Sequence, residues 1–198
     1  MNLLRQLHHI DQDVTLAVNS LHCPATDFIW TVFSNKYIWF ALYAAVLVFL
    51  YWRLGWKRAT IVVIACVLTV TACDQLGNVV KAWVERLRPC WDLNMTGRGL
   101  HILEDKGNLY GFYSAHAANA MGFAICSWRG FRADRSLPYR KYGWFIIIWA
   151  LLVGISRVFV GKHFLGDVLA GFAVGIFFGW LFSGIARMLI TYWGLSRH

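Results

Sequence analysis

The sequence predicts an all-α, polytopic transmembrane bundle of five spans, preceded by an amphipathic helix lying at the membrane interface. Three observations carry this expectation. Hydrophobic residues make up 59% of the 198 positions, against about 45–50% in soluble domains. Apolar runs of near-spanning length recur along the chain. The few charges, 15% of residues, gather at the ends of those runs.

Residues 1–22 place Leu3, Leu4, Leu7, Ile10, Val14, Ala17, Val18 and Leu21 on one helical stripe, opposite mainly polar positions. Such a helix rests on a membrane surface or turns its stripe into a core, and spacing alone allows both. Residues 24–35 hold an apolar run from Phe28 to Phe33 that is too short to cross, since a crossing takes about 20 apolar residues. Spans are expected at 38–52, 60–80, 114–128, 142–155 and 164–192. The basic loops 53–58 and 129–141 should be cytoplasmic. Segment 81–113, the connection 157–163 and the N-terminal helix then face outward. A sixth crossing made by 24–35 would put the N-terminus inside.

We read 1–198 as a single domain, with 1–35 forming interfacial helices and 36–193 the transmembrane bundle. The expected place is the cytoplasmic (inner) membrane. The first residues, with Arg5, His8, His9, Asp11 and Asp13, lack the unbroken apolar core of a signal peptide.

The net charge of +9 fits cytoplasmic loops, anionic lipid or an anionic substrate. The expected partners are the bilayer and an anionic ligand, with no nucleic acid and no obligate protein. None of the five cysteines forms a C-x-x-C pair, so neither a zinc site nor a redox site of that kind is expected. Cys23 and Cys90 could both face an oxidising compartment, which leaves a disulfide between them open.

Three polar clusters fall on the outer side. Lys81 and Arg88 precede Pro89 and are seven apart, on one face if the second span continues as helix. Taken alone they read as snorkelling anchors. Ser114 can cap the third span, whose first backbone N–H groups attract anions. His116 sits in its first turn. His163 and Asp167 are four apart at the start of the last span, just after Arg157. An Asp at that depth needs a reason, and orienting an imidazole is one.

Combined, these residues change the argument. Lys81, Arg88 and Arg157 would repel one another in a structural core. They suit a phosphoryl group, whose charge spreads over three oxygens. Two histidines match the two remaining tasks, attack on phosphorus and protonation of the leaving oxygen.

The pattern K-x6-R-P at Lys81 to Pro89, the element Tyr113-Ser114-Ala115-His116, and S-R-x5-H-x3-D at Ser156 to Asp167 resemble the three-part signature of the type 2 phosphatidic acid phosphatase superfamily. The resemblance runs from about residue 36 onward. The second element departs from the family pattern, with Tyr113 in place of Pro and Ala115 in place of Gly. The resemblance implies a metal-independent lipid phosphatase without a cofactor. His163 would form a phosphohistidine, Asp167 would orient it, and His116 would act as general acid. Lys81, Arg88, Ser114, the Ala115 N–H and Arg157 would bind phosphate. Implied substrates are polyprenyl diphosphate, a lipid A-type glycolipid, phosphatidylglycerol phosphate and phosphatidic acid. A phosphotransferase of the same family is the nearest alternative. A small transporter is the next, but it would need a polar stripe through the bilayer.

Two smaller readings stay open. Asp74 could orient Lys81 through Asn78, or simply bond another helix. Trp83, Trp91, Tyr110, Phe112 and Tyr113 could line a lipid entrance, or form an interfacial aromatic belt.

Overall fold

A computed structural model describes residues 3–195. Met1, Asn2, residues 196–198 and the side chain of Leu4, a member of the predicted stripe, lie outside the described set. Seven α-helices form: α1 (Leu3–Asn19), α2 (Pro24–Ser34), α3 (Phe40–Val84), α4 (Leu93–Gly97), α5 (Ala115–Phe131), α6 (Arg140–Phe159) and α7 (Leu165–Tyr192). Among the described residues the one strand-like feature is an isolated antiparallel bridge between Leu87 and Tyr110.

By length and composition α3, α6 and α7 can each cross a membrane. The 45 residues of α3 are two helical legs that meet at Gly55, inside the expected loop 53–58, which is shortened to a tight turn. The chain kinks at Gly55 (φ 71°, ψ 168°), a conformation open to glycine. No proline follows, and helix resumes with Trp56, Lys57 and Arg58 in the first turn of the second leg. Helix α5 has 17 residues, the lower end of what a crossing takes. Many large apolar side chains stay exposed on the flanks, among them Trp52, Val67, Val79, Phe177, Trp180 and Met188. Apolar exposure on this scale fits lipid as the surrounding medium.

Helix α5 packs against α3, α6 and α7. It can do so because its buried face is built of small residues, including Ala117, Ala118, Gly122 and Ala124. Facing them on α7 are Gly171, Gly175 and Gly179. A Cβ on Gly171 would lie 2.5 Å from the Ser114 carbonyl oxygen, and one on Gly175 would lie 2.4 Å from that of Ala118. Small residues at four-residue spacing let helix backbones meet closely. This seam brings the start of α5 to the start of α7, where the Ser114 N–H donates to the Asp167 carbonyl at 3.0 Å.

Helix α1 decides between the two sequence readings of its stripe. Leu3, Leu7, Ile10, Val14 and Leu21 are exposed, while Gln12, Thr15 and Asn19 are buried. The polar face docks on the bundle end. Asn19 Nδ2 donates to the carbonyls of His101, Val158 and Phe159 at 3.0–3.1 Å. Thr15 Oγ1 accepts from the Leu165 N–H at 2.9 Å, and Asp11 Oδ1 accepts from that of Gly166 at 2.8 Å. The apolar stripe therefore does not face the core.

Candidate active site

The expected clusters meet at the end of the bundle that α1 covers, although the first arrives by a different route. Helix α3 ends at Val84, and Glu85 takes a left-handed conformation (φ 50°). The next residues are extended, as the bridge from Leu87 to Tyr110 shows. Lys81 and Arg88 therefore do not share a helical face. Pro89 does not stop a helix; it opens a 3-10 turn, Pro89–Trp91. The Arg88 Nε–H donates to the Tyr110 carbonyl at 3.2 Å.

Extended backbone sends alternate side chains the same way. Arg86 thus accompanies Arg88, and Arg86 is the partner of Asp167. Its Nη1 lies 2.7 Å from Asp167 Oδ1, and its Nη2 lies 2.7 Å from Asp11 Oδ2. The guanidinium also covers the Phe164 ring at 4.1 Å. Asp167 is fully buried, and its Oδ2 accepts from the Phe164 N–H at 3.1 Å. Its distance to His163 Nδ1 is 3.4 Å. That is near enough for charge to act, without the alignment of a hydrogen bond.

His163 is buried in the turn before α7. Burial pushes its pKa down to about 4; the Asp167 carboxylate opposes that shift, and the charges of Arg157 and Arg88 add to it. A ring with that pKa is uncharged at neutral pH.

Arg157 ends α6 and is likewise buried. Its Nη1 bonds the Ser34 hydroxyl and lies 3.3 Å from Glu104 Oε2. Its Nε is buried with no partner among the described residues. Lys162 is 5% exposed and makes no ion pair among the described residues. A Cβ built on Gly107 would lie 3.5 Å from both Lys162 Nζ and Arg88 Nη1, so the two cations face one spot. Burial lowers the pKa of Lys162, as do Arg157 and Arg88, while Glu104 opposes the shift.

Ser114 caps α5 as expected: its hydroxyl accepts from the Ala117 N–H at 3.5 Å. The N–H groups of Ala115 and His116 have no acceptor within a helix at this position. His116 lies at one end of an open cleft of about 580 Å³. Its other walls are largely apolar and aromatic, including Trp39, Tyr43, Leu47, Val67 and Phe123 from both legs of α3 and from α5. The polar end of the cleft also carries Lys36 and Asn119.

A model of the PAP2 superfamily matches residues 62–190, which contain all three clusters. The chain belongs to the PAP2 superfamily. The similarity to individual relatives extends further. This PAP2 chain is 36% identical to a lipid A 4'-phosphatase of Bacteroides thetaiotaomicron over 94% of its own length and 81% of the relative's. It is 31% identical to an undecaprenyl-diphosphatase of Sulfolobus acidocaldarius, over 75% of this chain and 64% of that one. The fold matches the crystal structure of a transmembrane PAP2-type phosphatidylglycerolphosphate phosphatase from Bacillus subtilis (TM-score 0.71, 22% identity), covering 92% of this chain and 87% of that one. It also matches LpxE of Aquifex aeolicus (TM-score 0.62, 20% identity, 86% and 92% covered).

Three alternatives left open by the sequence are decided. Tyr113 lines no lipid entrance: it is 2% exposed and its hydroxyl donates to the Cys73 carbonyl at 2.6 Å. Asp74 accepts from Asn119 Nδ2 at 2.9 Å, a bond between α3 and α5, and not from Asn78. All five cysteines are free, with Cys23 exposed and Cys90 buried. Arg86, Lys162, Glu104 and Ser34 are the site neighbours that sequence reasoning missed.

Proposed function

We propose that this chain is an integral membrane lipid phosphatase that cleaves a phosphate from a membrane lipid through a phosphohistidine on His163. The single observation that carries this reading is the combination of buried cations in excess of their carboxylates with a buried, neutral His163, while His116 lines an apolar cleft. Arg157 Nε, Arg88, Lys81 and the Ala115 N–H supply donors for the phosphoryl oxygens. Lys162, absent from the family signature, joins them. The lipid tail lies in the cleft that ends at His116.

In the first step His163 Nε2 attacks phosphorus, and the bond to the leaving oxygen breaks. Asp167 stabilises the charge that develops on the ring, and His116 protonates the leaving oxygen. In the second step His116 takes a proton from water, which attacks the phosphohistidine and frees inorganic phosphate. The arginines and lysines provide the positive charge that metal ions supply in other phosphoryl transfers, so EDTA should leave turnover nearly unchanged. We further infer five crossings, with the Gly55 kink dividing α3 into two, and the site on the outer face of the inner membrane. Residues 1–198 act as one domain on this reading.

The favoured substrate is the phosphate of a lipid A-type glycolipid, because the Bacteroides relative aligns with nearly the whole chain. Lys162 favours a second reading, a polyprenyl diphosphate, since a buried cation beyond the family set can hold a second phosphoryl group. The test is phosphate release by purified protein from both lipids, phosphatidylglycerol phosphate and phosphatidic acid. His163→Ala should abolish release while the protein still inserts. Retained activity would sink the nucleophile assignment. Phosphate transferred to an added lipid acceptor in place of water would mark a phosphotransferase.

A further inference from the structure

We propose that His22, Asp27 and His101 form a site for a divalent transition-metal ion, with Zn²⁺ the best match. The three residues come from separate segments. His22 follows α1, Asp27 lies in the first turn of α2, and His101 lies in the segment between α4 and α5. Their ligand atoms all lie within 4.8 Å of one another. Asp27 Oδ2 is the shared point, 3.0 Å from His101 Nε2 and 3.8 Å from His22 Nδ1. Ligand atoms of a tetrahedral zinc site, with bonds of about 2.0–2.1 Å, sit about 3.3 Å apart. The two distances to Asp27 Oδ2 bracket that value.

One further observation points to a ligand. Asp27 Oδ1 is buried and has no hydrogen-bond partner among the described residues, which a buried carboxylate oxygen rarely tolerates. The two imidazoles stack with centroids 3.7 Å apart and planes 6° from parallel. Parallel rings cannot both aim a nitrogen lone pair at one ion, so loading turns the partly exposed His22 out of this stack.

The site is also built to stay in place. Asn19 clamps the backbone of His101 from both sides, its Oδ1 accepting from the His101 N–H at 2.8 Å and its Nδ2 donating to the His101 carbonyl at 3.0 Å. Cys23 is no ligand, because its Sγ pairs with Thr26 Oγ1 at 3.4 Å. Two imidazoles and one carboxylate suit zinc and its neighbours; Ca²⁺ and Mg²⁺ call for oxygen ligands. The ion's role is structural. It ties α1 and α2 to the segment that carries Glu104, the partner of Arg157. It takes no part in phosphoryl transfer, so the EDTA expectation above is unaffected.

The experiment uses the full chain in detergent with any affinity tag cleaved away, stripped with EDTA and desalted. Titration with Zn²⁺ should load one equivalent per chain by elemental analysis and raise the melting midpoint. Co²⁺ should give visible absorption bands of a low-coordinate site. Asp27→Asn and, separately, His22→Ala should each weaken binding at least about tenfold, with circular dichroism unchanged. His22 is 37% exposed, so its variant decides the matter if Asp27→Asn misfolds. Loading well below one equivalent would overturn the proposal. Equal binding by wild type and His22→Ala would overturn it too, since the zinc would then sit on other surface groups.

Discussion

The two ends of the bundle use the same residue types to opposite effect. At the end away from His163, Arg53 finds partners within the protein: Nε and Nη2 donate to Asp134 Oδ2 at 3.2 and 2.7 Å, Nε to the Tyr139 hydroxyl at 2.8 Å and Nη2 to the Ser136 hydroxyl at 2.6 Å. Arg129 donates to Ser183 at 2.8 Å and covers the Trp180 ring at 3.6 Å. At the site end Arg157 keeps a buried, unpartnered Nε, and Lys162 is buried without an ion pair among the described residues. Both ends carry buried charge, yet one closes its hydrogen bonds within the protein and the other leaves donors over. A buried donor without a partner costs about 1–3 kcal/mol, so selection for stability alone would remove it. On the proposed reading, the leftover donors are where the phosphoryl group sits.

The comparison breaks most sharply at Arg157. Arg157→Ala should lower kcat by about 10²–10³, the usual loss for one donor to a transition-state oxygen. Lysine at this position should recover little, because one ammonium cannot replace a planar fork. If Arg157→Ala retained most of the activity, the leftover donors would be a packing accident.

Arg86 should give the next largest effect. It joins no substrate in our reading; it holds Asp167 at 2.7 Å and ties it to Asp11 of α1. Arg86→Met leaves a buried carboxylate without its cation, and kcat should fall about tenfold or more, since a small misplacement of catalytic groups is costly. A merely structural Arg86 would change only the amount of folded protein. A positioning Arg86 would also change the pH profile. Without this cation the Asp167 charge acts more fully on His163, favours the imidazolium and moves the acid limb of kcat/KM to higher pH.

That profile has a defined starting point. The pKa of His163 lies near 4, below its ordinary 6.5. Free-enzyme ionisations appear in kcat/KM, so the His163 limb should fall near pH 4, once the titration of the substrate phosphate is divided out. Stability has the same sign. The folded state binds fewer protons than the unfolded state between pH 6.5 and 4, so the stability from a neutral His163 is complete above about 6.5 and is lost as pH falls toward 4. The melting midpoint of His163→Gln should therefore decline less than that of wild type across this window. Parallel curves would contradict the buried neutral ring.

How much of this was legible in the sequence depended on whether the signal was local. Spacing placed His163 and Asp167 on one helical turn, and Ser114 caps α5 as its type suggests. The α1 stripe was legible, but its direction was not, because hydropathy does not reveal that Asn19 and Thr15 would find carbonyl and N–H partners on the bundle end. Arg86 was missed because 81–88 was read as helix; read as extended chain, period two would have put it beside Arg88. Gly171, Gly175 and Gly179 form a four-residue repeat open to any reader, and only the facing alanines of α5 give it meaning. Glu104 and Lys162 had no signal at all. Their place depends on the irregular fold of the segment between α4 and α5 over the turn before α7.

The smallest effect belongs to the matched end. Asp134 receives Arg53, the Tyr139 hydroxyl and the Ser136 N–H, and those bonds hold its carboxyl well below the usual carboxylate range, against the opposing effect of burial. Asp134→Asn keeps the shape and removes the charge. Turnover should be unchanged, and the melting midpoint should fall by roughly 2–4 °C, the shift that about 1 kcal/mol makes in a chain of this size. The loss should fade as pH drops far enough to protonate Asp134 in the wild type. A fall in kcat comparable to that of Arg157→Ala would erase the distinction between the ends, because an ion pair closed within the protein would then matter to chemistry as much as a buried donor left over.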